Sequence, residues 1–283
     1  MTIAVTAATG QLGTLVVDHL LSRTSPDQVV AIARDAVKAE ALAAKGVVVR
    51  IAGYDDPAAL RAALVGVDRV LLISGNEFGR RIEQHRNVID AAIDEGVQLL
   101  AYTSAPRVDT STLPVAPDHL ATEQHLATAG LPHTILRNGW YHENYLATVD
   151  AARRTGSVLT SAGDGRVSSA ARADFAEAAA VVLTSDAPVK PVYELGGDVA
   201  WTQADLASTV SEIIGAPVTL TDVAPEQQGT ILAEAGVPQT WVDFTVATDA
   251  SIRNGELEVT SGDLSTLLDR PTTPLVETLR SAA

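Results

Sequence analysis

Short runs rich in β-branched and apolar residues recur through the first half of the chain, at 3–6, 29–33, 47–51, 69–73, 99–103 and 133–137. Between them lie Ala- and Leu-rich stretches whose apolar positions return every three or four residues, at 11–22, 35–45, 57–64, 81–95 and 119–129. Strands buried on both faces alternating with segments of helical period are the signature of βαβ units on a parallel sheet. Asp56-Pro57 opens the third helix, because proline at a first helical position gives up an N–H that has no partner there. Six strands within the first 137 residues predict an α/β fold with a Rossmann-like, doubly wound parallel sheet. After Trp140 the rhythm loosens. Strands at 157–160, 192–195 and 218–221 mix with helices at 173–184, 202–213 and 225–235, which predicts a smaller C-terminal α/β lobe. The expected division is a dinucleotide-type domain over 1–140 and a substrate lobe over 141–283, interleaved with the sheet.

Composition narrows the classes. The 283 residues are 46% hydrophobic, enough for a sizeable core and somewhat more than one compact core holds comfortably. With 35 acidic against 20 basic residues the formal charge is -15, which disfavours nucleic acid and anionic membrane as partners. Cysteine is absent, so disulfides, thiolate catalysis and cysteine metal sites are excluded. The apolar runs, such as 70–73, are far shorter than a membrane span, and the N-terminal residues carry no basic, export-type segment. A cytoplasmic protein without a metal site is expected; a homodimer is one assembly the sequence allows.

The candidate chemistry begins where the first strand meets the first helix, at Thr6-Ala7-Ala8-Thr9-Gly10-Gln11-Leu12-Gly13. A helix N-terminus offers unpaired N–H groups and a positive dipole end to a pyrophosphate. Gly10 lets the backbone approach the phosphates, and Gly13 lets the helix lie close on the sheet. Ala7 stands where the fingerprint has its first glycine, and its methyl is expected to require a negative φ. At the end of the second strand there is no carboxylate before Asp35. Arg34 suits a 2′-phosphate through its planar fork, with Lys38 one turn on, so NADPH is the expected dinucleotide, with NADH second.

Several further segments share one pattern: Tyr54-Asp55-Asp56, Gln84-His85-Arg86-Asn87-Val88-Ile89, Ala101-Tyr102-Thr103-Ser104, and the run from Leu136-Arg137-Asn138-Gly139-Trp140-Tyr141 to Tyr145. Ala171-Arg172-Ala173-Asp174 and Tyr193-Glu194-Leu195-Gly196-Gly197 extend it almost end to end. In these the chain resembles the NmrA-like atypical short-chain dehydrogenases, on the branch of the type 2 NAD(P)H:quinone oxidoreductases, to which triphenylmethane reductases are close. The resemblance implies a Rossmann-like domain carrying NADPH, a small C-terminal lobe and two-electron reduction of a quinone-like acceptor. It implies cofactor contacts at Thr6, the 8–13 turn, Arg34, Lys38, Tyr54, Ser74, Gly75, Thr103, Ser104 and Ala105. One departure besides Ala7 is Gly53, where an acidic residue is usual.

Short-chain dehydrogenases place a Tyr-x-x-x-Lys pair before the sixth strand; here that place reads His119-Leu120-Ala121-Thr122-Glu123. Without a dedicated acid–base pair, alcohol dehydrogenation is disfavoured. A quinone, already a strong hydride acceptor, asks chiefly for proximity and exclusion of water. Asn138, Tyr141 and His142 follow the sixth strand and are the candidate catalytic residues. Asn138 or Tyr141 can donate to a quinone oxygen. Trp140 or Tyr141 can stack on a flat ring, and Phe78 can wall the nicotinamide. The competing assignment for these aromatics is simple packing. His119 with Glu123 reads as a proton relay or a capping and surface pair, His85 as a packed or interface histidine, and Asp174 as a helix-start carboxylate. Two other functions fit the same residues: a non-catalytic NADP(H)-sensing regulator, and a dye or imine reductase.

Overall fold

The computed structural model describes residues 1–77 and 79–282, and the chain divides into two compact units. The first comprises residues 1–105, 117–138 and 173–193, the second residues 106–116, 139–172 and 194–283. The first unit alternates β1 (Ile3–Val5), α1 (Gln11–Leu21), β2 (Val29–Ala33), α2 (Ala36–Ala43), β3 (Val48–Ile51) and α3 (Pro57–Leu64). β4 (Arg69–Leu72), α4 (Arg81–Asp94), β5 (Leu99–Ser104), α5 (Ala116–Thr128) and β6 (His133–Asn138) follow. The strand order is β3-β2-β1-β4-β5-β6, with a seventh strand beside β6. The chain thus winds outward from β1 in both directions, and β1 and β4 mark the switch point where such sheets bind ligands.

The continuous apolar runs are explained by burial. Every residue of β1 and β2 is buried, and one face of the sheet packs Val30, Ile32, Val70, Leu72 and Leu100 against Leu60, Leu64, Val88 and Ile89 of α3 and α4. Burial of that kind is worth roughly 25 cal/mol per Å² of apolar surface. β3 lies at the edge and leaves Val48 and Ile51 exposed. The seventh strand corrects one expectation. The segment Val192–Leu195, read as part of the lobe, joins the main sheet. The Ile135 N–H on the Pro191 carbonyl and the Gly139 N–H on the Leu195 carbonyl set it parallel to β6. As an edge strand it buries alternate residues only, which in sequence looks like a strand of a small half-solvated sheet. Its crossover helix, Arg172–Thr184, returns to the first unit for the same reason, so the units interleave more deeply than a division at residue 140.

The second unit holds α6 (Leu146–Thr155), β7 (Ser157–Thr160), β8 (Arg166–Val167), then β10 (Trp201–Thr202), α8 (Gln203–Ile214), β11 (Thr219–Asp222) and α9 (Pro225–Glu234), with α7 and β9 being the crossover helix and seventh strand just described. α10 (Gln239–Arg253), α11 (Asp263–Leu268) and α12 (Leu275–Ala282) complete it. β7 pairs in parallel with β11, and β8 antiparallel with β10. Its core gathers Tyr145, Val149, Val158, Val167, Trp201, Leu206, Val210, Ile252 and Leu279. A buried carboxylate is tolerated there because its charge is met: Asp249 accepts from the Thr160 hydroxyl (2.8 Å), the Ser161 amide (2.8 Å) and the Gln228 side chain (2.7 Å). Among the described residues no helix is long and apolar enough to cross a membrane, and no cluster of side chains could hold a metal ion.

Candidate functional site

At the β1–α1 turn the chain must reverse within three residues. The Ala8 amide reaches across to the Ile32 carbonyl (3.1 Å), and the Gly10 amide folds back onto the Ala7 carbonyl (2.9 Å). This reversal puts Ala7 in the left-handed region, φ +48, contrary to the negative φ expected of an alanine. The geometry of the fingerprint glycine is kept, and the methyl bears a strain of about 1–2 kcal/mol. Gly13 explains why the turn is so tight: a Cβ there would stand 2.5 Å from the Ala7 carbonyl oxygen and 2.8 Å from the Ala8 Cα. Gly10 is the N-cap of α1, with no side-chain cap and no acidic residue in the first turn. Gly10 and Gln11 are exposed, Thr9 half-buried, Leu12 buried. The first amides of the helix therefore face an open position without a competing carboxylate.

Arg34 follows β2 with its side chain 75% exposed, and its Nη1 lies 3.1 Å from Glu77 Oε1. Lys38 is exposed on α2. Asp35, the next residue in sequence, is committed elsewhere: its Oδ1 caps α2 by accepting from the Val37 and Lys38 amides at 2.9 and 3.3 Å. A Cβ built on Gly53 would lie 4.0 Å from the Arg34 Cβ, so the glycine keeps a side chain away from the arginine stem.

The exit of β4 is held by side chains rather than by the sheet. The Ile73 amide donates to Thr6 Oγ1 (3.0 Å), the Ser74 amide to Thr103 Oγ1 (2.9 Å) and the Gly75 amide to His85 Nε2 (2.9 Å). Tyr54 donates its phenol to the Ile73 carbonyl (2.7 Å) and lies 2.5 Å from the Thr6 hydroxyl; burial holds that phenol above its usual range, so it stays protonated. Thr6, Tyr54 and Thr103, expected as cofactor contacts, thus turn their polar atoms to the protein. Ser104 does likewise, donating to Glu123 Oε1 at 2.6 Å, and Ala105 is buried. Phe78 lies outside the described residues.

His119 and Glu123 do not form a relay. Glu123 is paired with Arg137, whose Nε and Nη2 sit 3.0 and 2.6 Å from its two oxygens. His119 Nδ1 lies instead 2.7 Å from the Tyr102 hydroxyl. The i, i+4 spacing placed both on the inward face of α5 without making them partners. His85 and His119 are both buried, and desolvation, reinforced by the nearby Arg81 guanidinium, lowers each to about 3. His85 is packed, as its sequence context suggested.

In the second unit Gly139 donates to the Leu195 carbonyl (2.7 Å), and a Cβ on it would meet that oxygen at 2.8 Å. Trp140 packs on the unit's core. Tyr141 bridges to Ala170, and the Arg172 guanidinium sits 4.7 Å from its ring centroid. His142, expected as catalytic, is buried with Nδ1 3.0 Å from the Thr278 hydroxyl and Nε2 3.0 Å from the Ser169 carbonyl. Both ring nitrogens thus face protein partners, which ties the segment to α12. Asn138, buried at the end of β6, belongs to the first unit.

Residues 7–186 match the family described as NAD(P)H-binding. The chain belongs to that family. Quinone oxidoreductase 2 of Escherichia coli strain K12 is 46% identical over 277 residues, covering 98% of this chain and 97% of that protein. The E. coli NADPH-dependent quinone oxidoreductase complexed with NADPH superposes with a TM-score of 0.95 at 45% identity over 99% of each chain. The triphenylmethane reductase of Citrobacter sp., complexed with NADP(H), gives a TM-score of 0.95 at 40% identity over 100% of each chain. In this member of the NAD(P)H-binding family the likeness runs end to end, as the resemblance in its motifs implied.

Two outcomes follow for the groups around the turn and the β4 exit. Ala7→Gly removes the left-handed strain and adds about 0.4–1 kcal/mol of unfolded-state freedom, so a net gain of up to ~1.6 kcal/mol is expected. It is read as a higher urea midpoint at unchanged slope; a lower midpoint would contradict the strain. Acid should destabilise the fold through His85 and His119. Their folded values lie below the unfolded one, so the unfolded state binds more protons between about pH 6.5 and pH 3, and stability falls as pH drops through that window. Between pH 7 and pH 5 the loss is about 2 kcal/mol per histidine. Denaturation at the two pH values, with and without His119→Gln, measures it; equal pH sensitivity in both proteins would refute it.

Proposed function

We propose that this chain uses NADPH for the two-electron reduction of quinones. The observation that carries the reading is the start of α1, glycine-capped, exposed and free of acidic side chains, with a cation at the end of β2, in a chain aligned along its whole length with an NADPH-bearing quinone reductase. These residues fit a dinucleotide on physical grounds. The amides of Gln11 and Leu12, with the helix dipole behind them, hold the pyrophosphate. Arg34 turns from Glu77 to the 2′-phosphate, exchanging an exposed ion pair worth at most about 1 kcal/mol for a doubly charged partner, and Lys38 adds a second cation. Asp35, engaged as a helix cap, is not open to the ribose.

When bound, the nicotinamide supplies a hydride, and the quinone gains that hydride and one proton to leave as hydroquinone. The protein's part is to bind, orient and exclude water. The place of a Tyr–Lys acid–base pair is held by His119 and Glu123, both committed inside the first unit, which suits an acceptor that needs no dedicated acid. Asn138, at the end of β6 in the unit that carries the glycine turn, donates its amide to the quinone oxygen as charge develops. His142 acts as a positioning residue through Thr278 and Ser169, and Trp140 as packing.

NADPH consumption is expected on adding benzoquinone or menadione, and binding of NADPH without turnover on any quinone would sink the reading. Arg34→Ala should raise the KM for NADPH by about 10- to 100-fold, the cost of one charge-assisted contact, and leave that for NADH nearly unchanged. Equal effects on both dinucleotides would remove Arg34 from the phosphate site.

A further inference from the structure

The peptide groups of Gly75 are closed into a ring of side-chain hydrogen bonds. Its amide donates to His85 Nε2 (2.9 Å), and His85 Nδ1 meets the Thr122 hydroxyl (3.0 Å). That hydroxyl donates to the Asp118 carbonyl (2.9 Å). The Asp118 carboxylate in turn binds Arg81 Nη1 (3.1 Å), and Arg81 Nε returns to the Gly75 carbonyl (2.6 Å). Because a backbone N–H only donates, Nε2 must be the acceptor, and the ring proton must sit on Nδ1, directed at Thr122. Arg81 and His85 are buried, on one face of α4, so their share of the circuit is kept from water, while the Asp118 carboxylate stays partly exposed. With both its polar groups taken inward, Gly75 offers a ligand only a bare backbone edge, and a Cβ there would already meet Gln84 Oε1 at 3.2 Å.

We propose that His85, with Arg81, is a positioning residue for the dinucleotide: the pair fixes the course of 73–75 at the exit of β4, beside the switch point, and so sets how closely the cofactor lies there. The role rests on the NADPH reading given above. It is not met by the threonines alone, since Thr6 and Thr103 hold Ile73 and Ser74 but leave Gly75 free to swing.

Two substitutions of similar size separate positioning from packing. His85→Gln keeps an acceptor at the Nε2 place and loses the link to Thr122. His85→Asn keeps a donor at the Nδ1 place and loses the link to Gly75. Melting temperature, Kd for NADPH by fluorescence, and the KM of each substrate are measured for both full-length variants. Both are expected to melt lower than wild type. Only His85→Asn should weaken NADPH binding, by about tenfold for one lost hydrogen bond, while the KM for menadione stays within about twofold. Should His85→Asn not fold, Arg81→Lys, which removes the Nε donor to the Gly75 carbonyl, is expected to raise the Kd for NADPH in the same way. If wild type binds NADPH and the variant that loses a Gly75 contact binds it as tightly, the positioning role is overturned and the functional reading stands. If wild type binds neither dinucleotide, both fall.

Discussion

The close approach of α1 to the turn that precedes it is the constraint on which the rest of the first unit depends. Gly13 lies where any side chain would overlap the Ala7 carbonyl, so the helix starts directly above the end of β1. That position forces the reversal through Ala7 and leaves the first amides of the helix uncapped at the switch point of the sheet. An exposed, uncapped helix start and backbone strain thus share one cause. A longer turn would relax Ala7, but it would move the dipole end away from where β1 and β4 diverge.

A second principle runs through the neighbouring elements. Where the ladder of β4 ends, amides would be left without partners, and buried orphans cost about 1–3 kcal/mol each. Short side chains from β1 and β5 and longer ones from α4 take them up. Several residues that bear on the site therefore do so from behind, through the backbone they hold. Tyr54 and Thr103 are of this kind; within the second unit the Glu143 carboxylate receives the Arg172 amide in the same manner.

The parallel sheet was legible because its central strands are buried on both faces and its helices keep their period. The seventh strand was not, since an edge position gives Val192, Tyr193, Glu194 and Leu195 the alternation of a two-sided strand. α6 and α10 also escaped: the latter reads Gln239-Thr240-Trp241-Val242-Asp243, with β-branched residues and Asp that carry little helical preference of their own and are held by packing against α9. Near the start of α1, the strand–turn–helix junction with Gly10 and Gly13 and the cation after β2 could be placed from spacing. The left-handed Ala7 was misjudged, because alanine's own preference for negative φ spoke against the glycine geometry that its place in the fingerprint keeps. The partners of His119 and Glu123 were hidden too, because they come from β5 and β6, a contact that only the folded sheet creates.

The capping role of Asp35 has a consequence for redesign. A protein engineer wishing to trade one dinucleotide for the other by editing the end of β2 would find the obvious acid already in use, since recruiting it would unfasten α2. The vacancy lies instead at Gly53, next to the Arg34 stem. A side chain introduced there would lie against the arginine stem and leave the cap of α2 in place.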